Sequence, residues 1–194
     1  MNIFIVILIC IGVIILITGT YQYLNLKDES RKYIIDNTKY SVVDSPDSDN
    51  SVKMLYNINQ RIIILKDYLI NNIEKYPEYS DYIRALYDNT KKIYLAENMP
   101  GGITTSYTIN KGEKLVICMR SPATKKMYDI NLIMYVVIHE LAHIACPEIG
   151  HTDLFKKIFV FLLNISAEQG IYIKINYKIN PHEYCGLTIR ENLT

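Results

Sequence analysis

The sequence predicts an α+β domain behind an amino-terminal membrane helix, and three patterns predict it. A long apolar run occupies the amino terminus. Later segments repeat apolar residues three and four positions apart, which is typical of amphipathic helices packed on a core. Between these segments, two short strand-like runs flank a turn, which indicates a β-hairpin.

Residues 1–24 are the predicted membrane anchor. Every residue from Ile3 to Ile17 is apolar or glycine, and no charged side chain appears before Lys27. A helix of this length spans the hydrocarbon layer of a bilayer, which is about 30 Å thick. A cleaved signal peptide is the alternative, but the segment lacks a basic leading region and a small-residue cleavage site.

Charges and cysteines after the anchor predict that the rest of the chain lies in the cytosol. Basic residues follow the apolar run within residues 27–32, and such residues tend to stay on the cytosolic side. Cys118, Cys146 and Cys185 are odd in number and suggest no disulfide framework. We therefore expect a single-pass protein with a cytosolic domain.

Residues 25–50 are predicted to be a polar linker, because residues 36–50 are rich in Ser, Asp and Pro. Residues 51–194 then form one domain, long enough to bury a core of its own. The net charge is +1, from 21 basic and 20 acidic side chains. We therefore expect no binding to nucleic acid.

Helices and strands are both predicted within residues 51–194. Apolar spacing and terminal capping or breaking residues predict helices over residues 52–76 and 78–89, a helix that starts near Asp129, and a helix over residues 154–168. Strand patterns cover residues 104–109, 114–119 and 171–177. The first two strands form the hairpin, with residues 110–113 as its turn.

His139, Glu140 and His143 form an HExxH motif within an apolar segment. In an α-helix, residues four apart share one face, so both imidazoles can point at one ion. Glu140 lies farther round the helix and is better placed to hold and deprotonate a water molecule. The alternative is a core helix whose histidines are satisfied by hydrogen bonds alone.

A catalytic zinc site takes three protein ligands and keeps one open position. Pro147 ends the helix, and the loop after it can carry His151 back towards the first two histidines. Glu148 and Asp153 are the alternative third ligands. Cys146, close to the helix end, is interpreted as a packing residue.

Three runs carry a resemblance to a known family: HELAHIACPEIGHTDLF, TSYTINKGEKLVICMRSP and NPHEYCGLTI. They resemble the zinc metallopeptidase domain of the WLM and SprT-like group, and are closest to uncharacterised metallopeptidases of large DNA viruses. The resemblance covers residues 94–189 and implies a compact zincin-like fold, a zinc ion held by His139, His143 and His151, and Glu140 as general base. One departure is the loop before His151, which is longer than WLM proteins usually have.

The tail contains the fourth histidine, His182. Metallopeptidases often place a Tyr or His where it stabilises the oxyanion of the reaction, so His182 and Tyr184 are candidates. A turn that packs the tail against the domain is the alternative for either residue. Glu183 is a candidate to accept the second ring proton of a metal-binding histidine.

The sequence therefore predicts a membrane-anchored zinc metallopeptidase that hydrolyses peptide bonds. Its expected partners are a protein or peptide substrate, held in part along a strand at the edge of the cleft, and a membrane. Two other classes stay open: a catalytically inactive zinc-binding scaffold, and a tethered interaction protein with structural histidines.

Overall fold

The computed structural model describes residues 11–14, 30–98 and 105–190. Residues 11–14 are helical, and the rest of the predicted anchor, residues 1–24, lies outside the described residues. Across the described ranges, no helix has both the length and the apolar character needed to cross a membrane.

From residue 30 onwards, strands and helices alternate along the chain. Their bounds are β1 (Ser30–Ile35), β2 (Thr38–Val43), α1 (Ser48–Asn71), α2 (Ser80–Asn89), β3 (Tyr94–Glu97), β4 (Tyr107–Ile109), β5 (Lys114–Ile117), α3 (Ile130–Ala145), α4 (Asp153–Glu168), β6 (His182–Tyr184) and β7 (Leu187–Ile189). Two short 3-10 helices, Ile73–Lys75 and Pro77–Tyr79, join α1 to α2. The α+β class is confirmed, as are the four predicted helices and the β4–β5 hairpin.

Five of the strands form one mixed sheet in the order β1-β2-β3-β5-β4. Strand β3 lies at its centre and runs parallel to β2 and to β5, with Leu95 opposite Leu115. Strand β4 pairs with β5 in the antiparallel sense and ends the sheet on that side. One side of β4 is therefore not occupied by another strand of this sheet.

The core lies between this sheet and the helices. The apolar face of α1, which includes Leu55, Ile62 and Leu69, is fully buried and packs with sheet residues such as Leu95 and Leu115. Helix α2 contacts α1 and α3, and α3 contacts α4. Helix α3 is therefore held on both sides, which gives the HExxH segment a rigid support.

The structure differs from the predicted linker, because residues 30–43 form β1 and β2 of the main sheet. Asp36 and Asn37 adopt φ values of 49° and 61°, as a two-residue hairpin turn requires. Tyr40 is fully buried, and its hydroxyl accepts a hydrogen bond of 2.9 Å from the Asn59 side chain on α1. The polar composition of this stretch reflects a turn and a solvated strand face rather than a linker.

The prediction of a strand over residues 171–177 was wrong. Asn131 of α3 pairs with the backbone of Ile173 through two hydrogen bonds, 2.8 Å to its carbonyl oxygen and 2.7 Å from its amide. Because a side chain satisfies this backbone, no strand partner is needed. The tail instead forms the β6–β7 hairpin, whose turn residues Cys185 and Gly186 have φ values of 51° and 84°.

Cys118 and Cys185 are joined by a disulfide, with their Cα atoms 6.4 Å apart and a sequence separation of 67 positions. The prediction of no disulfide framework was therefore wrong for this pair. An odd number of cysteines leaves one over without excluding a single bridge, and here the remaining one is Cys146, which is buried as a free thiol. The disulfide ties the β6–β7 hairpin to the end of β5.

Candidate metal centre and cleft

Helix α3 begins at a well-formed cap and is almost entirely buried. The Asp129 side chain accepts a hydrogen bond of 2.8 Å from the Asn131 amide, which confirms the predicted start of the helix. Ile138, Leu141 and Ala142 are fully buried around the motif. This packing fixes the direction in which His139 and His143 leave the helix.

The carboxyl end of α3 is held by Lys111, from the turn between β4 and β5. Its ammonium group donates to the carbonyl oxygens of His143 and Cys146, at 3.2 and 2.6 Å. A cation at this position satisfies terminal carbonyls and interacts favourably with the helix dipole. Lys111 therefore anchors the β4–β5 hairpin at the start of the loop that carries His151.

The loop after α3 returns the chain to the motif. Gly150 adopts a φ of 86°, a left-handed conformation that suits glycine. Thr152 then caps α4, because its hydroxyl accepts a hydrogen bond of 3.2 Å from the Phe155 amide. His151 therefore stands directly beside a fixed helix end.

The three predicted histidines come together at one point. The Nε2 atom of His143 lies 3.2 Å from that of His139 and 3.2 Å from that of His151, and the third edge, between His151 and His139, is 3.0 Å. Among the described residues, they are the group of ligand-type side chains that could hold one metal ion. Their roles as ligands stay a prediction.

This triangle of nitrogens fits a tetrahedral zinc ion. Zinc–nitrogen bonds of about 2.0–2.1 Å in tetrahedral geometry separate two ligand nitrogens by about 3.3–3.4 Å. Three ring nitrogens turned towards one another cannot all be satisfied by mutual hydrogen bonds, because each nitrogen carries either a proton or a lone pair and cannot both donate and accept. One cation satisfies all three lone pairs.

Burial favours the neutral imidazoles that a metal needs. It lowers the pKa of His139 to about 3, with further lowering by the neighbouring His143 and His151. It also lowers the pKa of His143 to about 4, with smaller contributions from His151 and Lys111. Neutral imidazole, not imidazolium, is the form that binds metal.

Aromatic rings of α4 form a wall around the histidines. Phe155 stacks on His143, with ring centroids 4.1 Å apart and an interplanar angle of 25°. Phe159 meets His139 edge-on, with centroids 5.1 Å apart. These contacts restrict the rotation of both imidazoles and shield them from solvent.

Glu140 is buried beside the histidines and lines the same cleft. Its burial raises the pKa of the carboxyl group to about 8, which a hydrogen bond from the Thr108 backbone amide partly offsets. Thr108 lies in β4, so this bond also joins the helix to the edge strand. A cation held by the histidines would favour the carboxylate form.

The alternative third ligands are not members of the histidine cluster. Asp153 is fully exposed and pairs with Lys156 at 3.3 Å. Glu148 is exposed on the loop and is not part of the described cluster. Cys146 is buried, in agreement with its interpretation as a packing residue.

The tail residues take positions that the sequence only partly indicated. Tyr184 is buried and lines a pocket beside His139 and Glu140, and its hydroxyl donates to the Cys118 carbonyl oxygen at 2.7 Å. Burial raises the pKa of this hydroxyl. His182 is exposed, and its Nδ1 donates to the Asn180 carbonyl oxygen at 2.9 Å, so it is not brought to the histidine cluster.

Glu183 does not contact a cluster histidine through any hydrogen bond that the structure describes. Both of its carboxylate oxygens accept from the Tyr128 hydroxyl at 2.9 Å, and one also accepts from the Gly186 amide at 2.7 Å. The predicted orientation of a histidine by Glu183 is therefore not seen. This carboxylate instead stabilises the hairpin turn.

Three contributors to the site were not singled out from the sequence. Phe155 and Phe159 are four positions apart just after His151, a spacing that puts both rings on one face of α4. That spacing was available in the sequence. Lys111 had no such signal, because its contact with the end of α3 depends on the tertiary fold.

Two connected cavities surround the histidines. The open cleft is lined by β4, by the loop of Glu148 and His151, and by Leu187 of β7. The inner pocket has a volume of about 340 Å³ and shares His139, Glu140 and His151 with the cleft. An extended chain lying in the cleft would pass the histidines and the mouth of the inner pocket.

No established family profile matches the chain. The structure is similar to the crystal structure of Wss1 from Saccharomyces cerevisiae, with a TM-score of 0.48 and 17% identity over 66% of this chain and 85% of that chain. It is also similar to a Wss1 variant from S. pombe, with a TM-score of 0.44 and 18% identity over 64% of this chain and 91% of that chain.

Relatives by sequence come from large DNA viruses. The chain is 47% identical over 68 residues to "Uncharacterized protein 042R" of Invertebrate iridescent virus 3, which covers 34% of this chain and 42% of the relative. It is 38% identical over 69 residues to "Uncharacterized protein 136R" of Invertebrate iridescent virus 6, covering 34% of this chain and 38% of the relative. It is 46% identical over 191 residues to "Uncharacterized protein R325" of Acanthamoeba polyphaga mimivirus, covering 96% of this chain and 97% of the relative. The chain belongs to the family of this mimivirus protein.

Proposed function

We propose that this protein is a zinc metallopeptidase in which His139, His143 and His151 hold the ion and Glu140 is the general base. The observation that carries the proposal is the convergence of three Nε2 atoms at 3.0–3.2 Å beside a buried carboxylate. Three neutral nitrogen ligands with an open side are typical of catalytic rather than structural zinc sites.

The residues of the chain divide the chemistry between them. A zinc ion held by the three imidazoles would supply the Lewis acidity that polarises a peptide carbonyl and acidifies a water molecule. Glu140 takes a proton from the attacking water and passes it to the leaving amine. The Thr108 backbone amide lowers the pKa of this carboxyl group and so favours its carboxylate form. No covalent intermediate with the chain is required.

Strand β4 is suited to hold an extended substrate. It ends the sheet on the side of the cleft, and residues from Thr105 to Thr108 line that cleft. An edge strand offers main-chain donors and acceptors to an added peptide strand. Main-chain pairing of this kind depends little on the peptide sequence. Thr108 of this strand lines the cleft together with Glu140, so the edge lies beside the site.

Glu140→Gln in the full chain, purified in detergent, tests the proposal. Gln keeps the size of the side chain but cannot accept the proton, so zinc should stay bound while peptide cleavage falls by at least about 100-fold. Zinc content by elemental analysis and cleavage of a denatured protein, with and without chelator, are the measurements. Glu78→Gln is the matched control, because Glu78 is an exposed carboxylate that pairs with Lys157 at 3.5 Å and does not line the cleft or the inner pocket.

Each outcome of this experiment separates two functions. If Glu140→Gln still cleaves the substrate, Glu140 is not the general base. Wild-type protein that binds zinc but cleaves nothing would favour the inactive scaffold, and protein without zinc would favour an interaction protein with structural histidines.

We also propose that residues 1–24 anchor the protein in a membrane with the catalytic domain in the cytosol. The uncharged run before Lys27 and the basic residues just after it support this orientation. The Cys118–Cys185 disulfide counts against it, because disulfides are rare in the cytosol. The test is protease added outside sealed, right-side-out vesicles that carry the full chain. The domain should survive until detergent opens the vesicles. Digestion before that step would show that the domain lies on the opposite side of the membrane. Extraction of the protein by alkaline carbonate would show that residues 1–24 do not anchor it.

A further inference from the structure

The inner pocket beside the histidines has a mainly apolar lining. Tyr135 and Val136 of α3, Phe155 and Phe159 of α4, and Ile189 of β7 contribute to its wall. Both phenylalanines and Tyr135 are buried and packed against each other or their neighbours, so the wall is rigid. Its volume of about 340 Å³ is within the range of pockets that hold small ligands or single large side chains.

The charged residues at this pocket are mostly basic. Lys156 and Arg190 contribute to the lining, and Glu140 is the acidic residue among the described lining residues. A lysine or arginine side chain entering the pocket would leave water and approach the exposed Arg190 and Lys156, of which Lys156 is paired with Asp153 at 3.3 Å. Like charges brought together in a partly desolvated site repel, so basic side chains are disfavoured.

The pocket opens where a substrate bond would lie. It shares Thr105, His139, Glu140 and Leu187 with the open cleft, so a side chain leaving an extended peptide at the histidines can enter it. The rim of the cleft is also apolar, since Ile149 is 91% exposed and Leu187 is 60% exposed. Exposed apolar side chains around a concave site indicate a surface that another molecule covers.

We propose that the inner pocket selects substrates by binding one large apolar side chain, such as Phe, Leu or Met, next to the cleaved bond, and that it rejects Lys and Arg there. This inference rests on the proposed peptidase function, because it assigns the pocket to that substrate. The occupant is an extended peptide, held along β4 by its main chain and selected by the pocket through one side chain.

Binding to the Glu140→Gln protein tests the inference without relying on turnover. The probes are fluorescein-labelled peptides of glycine, serine and alanine that differ only in one central residue, which is Phe, Ala or Lys. Measured by fluorescence anisotropy on the zinc-loaded full chain, the Phe peptide should bind at least about tenfold more tightly than the Ala peptide, because burial of its ring removes apolar area from water. The Lys peptide should bind no better than the Ala peptide.

A variant that fills the pocket links this preference to its wall. Val136→Phe places a ring in the cavity and should reduce the advantage of the Phe peptide to less than about threefold. Thr188→Phe, on the exposed β7 face that lines the same pocket, is a second variant in case the first does not fold. Ile34→Phe is the matched control, because Ile34 is 73% exposed on β1 and does not line the pocket.

The possible results distinguish this inference from the proposed function. Equal binding of the Phe, Ala and Lys peptides, or an unchanged Phe preference in both pocket variants, would overturn the pocket assignment even if the wild-type protein cleaves peptides. Selective binding of the Phe peptide that is lost in the pocket variants would support the assignment even if the wild-type protein cleaves none.

Discussion

The Nε2 atom of His151 lies 3.0 Å from that of His139, although the two residues are 12 positions apart in sequence. Helix α3 alone supplies two ring nitrogens to the site, and the loop after it adds the third. Lys111 holds the start of this loop, and Thr152 holds its end. The position of His151, the proposed third ligand, depends on both ends being fixed.

His151→Ala should weaken zinc binding by at least about 100-fold, because loss of a ligand costs more than the 10–100-fold effect of an outer-shell change. Isothermal titration with zinc measures this directly. Asp153→Asn and Glu148→Gln are the matched controls, and each should bind zinc like the wild-type protein. If either control variant loses most of its zinc affinity while His151→Ala keeps it, that carboxylate rather than His151 is the third ligand.

Loss of the Thr152 cap should loosen His151. Thr152→Ala removes the hydroxyl that accepts from the Phe155 amide and should cost about 1 kcal/mol of folding free energy. Asp129→Ala removes the corresponding cap of α3 and should cost a similar amount. Only Thr152→Ala should also weaken zinc binding, because only that cap adjoins a proposed zinc ligand, His151.

The comparison of these two cap variants separates the effect of the cap on the position of His151 from its effect on the stability of the fold. Urea unfolding gives the free energy of unfolding, and zinc titration gives the affinity. Thr152→Ser keeps the accepting oxygen and should restore both quantities. Equal zinc affinity in Thr152→Ala and Asp129→Ala would show that the cap does not position His151.

Local periodicity explains why much of the helical framework could be predicted. The apolar spacing along α1 and the HExxH segment are properties of single segments, and both are buried as that spacing requires. The sequence did not predict strands β1 and β2, because residues such as Asp36 and Asn37 are typical of both linkers and turns. Only the pairing of Tyr40 with Leu95 in the neighbouring strand distinguishes the two.

The candidate site shows the same division between local and tertiary information. The pair of His139 and His143 follows from one turn of helix, whereas the approach of His151 depends on a loop whose course the sequence only restricts. Cys118 and Cys185 are 67 positions apart, and no local pattern shows that they meet. The inner pocket likewise exists only once α3, α4 and the β6–β7 hairpin are assembled.

Reduction of the Cys118–Cys185 disulfide should destabilise the β6–β7 hairpin. A bridge across 67 residues restricts the unfolded chain, and its loss should lower the free energy of unfolding by about 2–4 kcal/mol. Urea unfolding with and without dithiothreitol is the measurement, together with limited proteolysis at the hairpin. Thiol counting should find two additional free thiols after reduction of the denatured protein.

The double variant with Cys118→Ser and Cys185→Ser is the control for this prediction. It should have the lower stability already and should not respond further to dithiothreitol. A response equal to that of the wild-type protein would assign the effect of the reductant to another group.

Alkaline pH should destabilise the fold through Tyr177. This side chain is fully buried, and burial, followed by the nearby Tyr172, raises the pKa of its hydroxyl above the ordinary value of 10.0. Above pH 10 the unfolded chain releases this proton while the folded chain keeps it, so stability falls as pH rises. Below that pH the hydroxyl is neutral in both states and contributes no pH dependence.

Tyr177→Phe isolates this contribution from other groups that titrate in alkali. The free energy of unfolding, measured by urea titration at about pH 9, 10 and 11, should fall less steeply with pH in the variant. The difference in slope approaches about 1.4 kcal/mol per pH unit, which corresponds to one proton, once the unfolded tyrosine is ionised. Parallel pH profiles for the two proteins would mean that the folded state lets Tyr177 ionise as readily as the unfolded chain does, and its buried position would then not persist in solution.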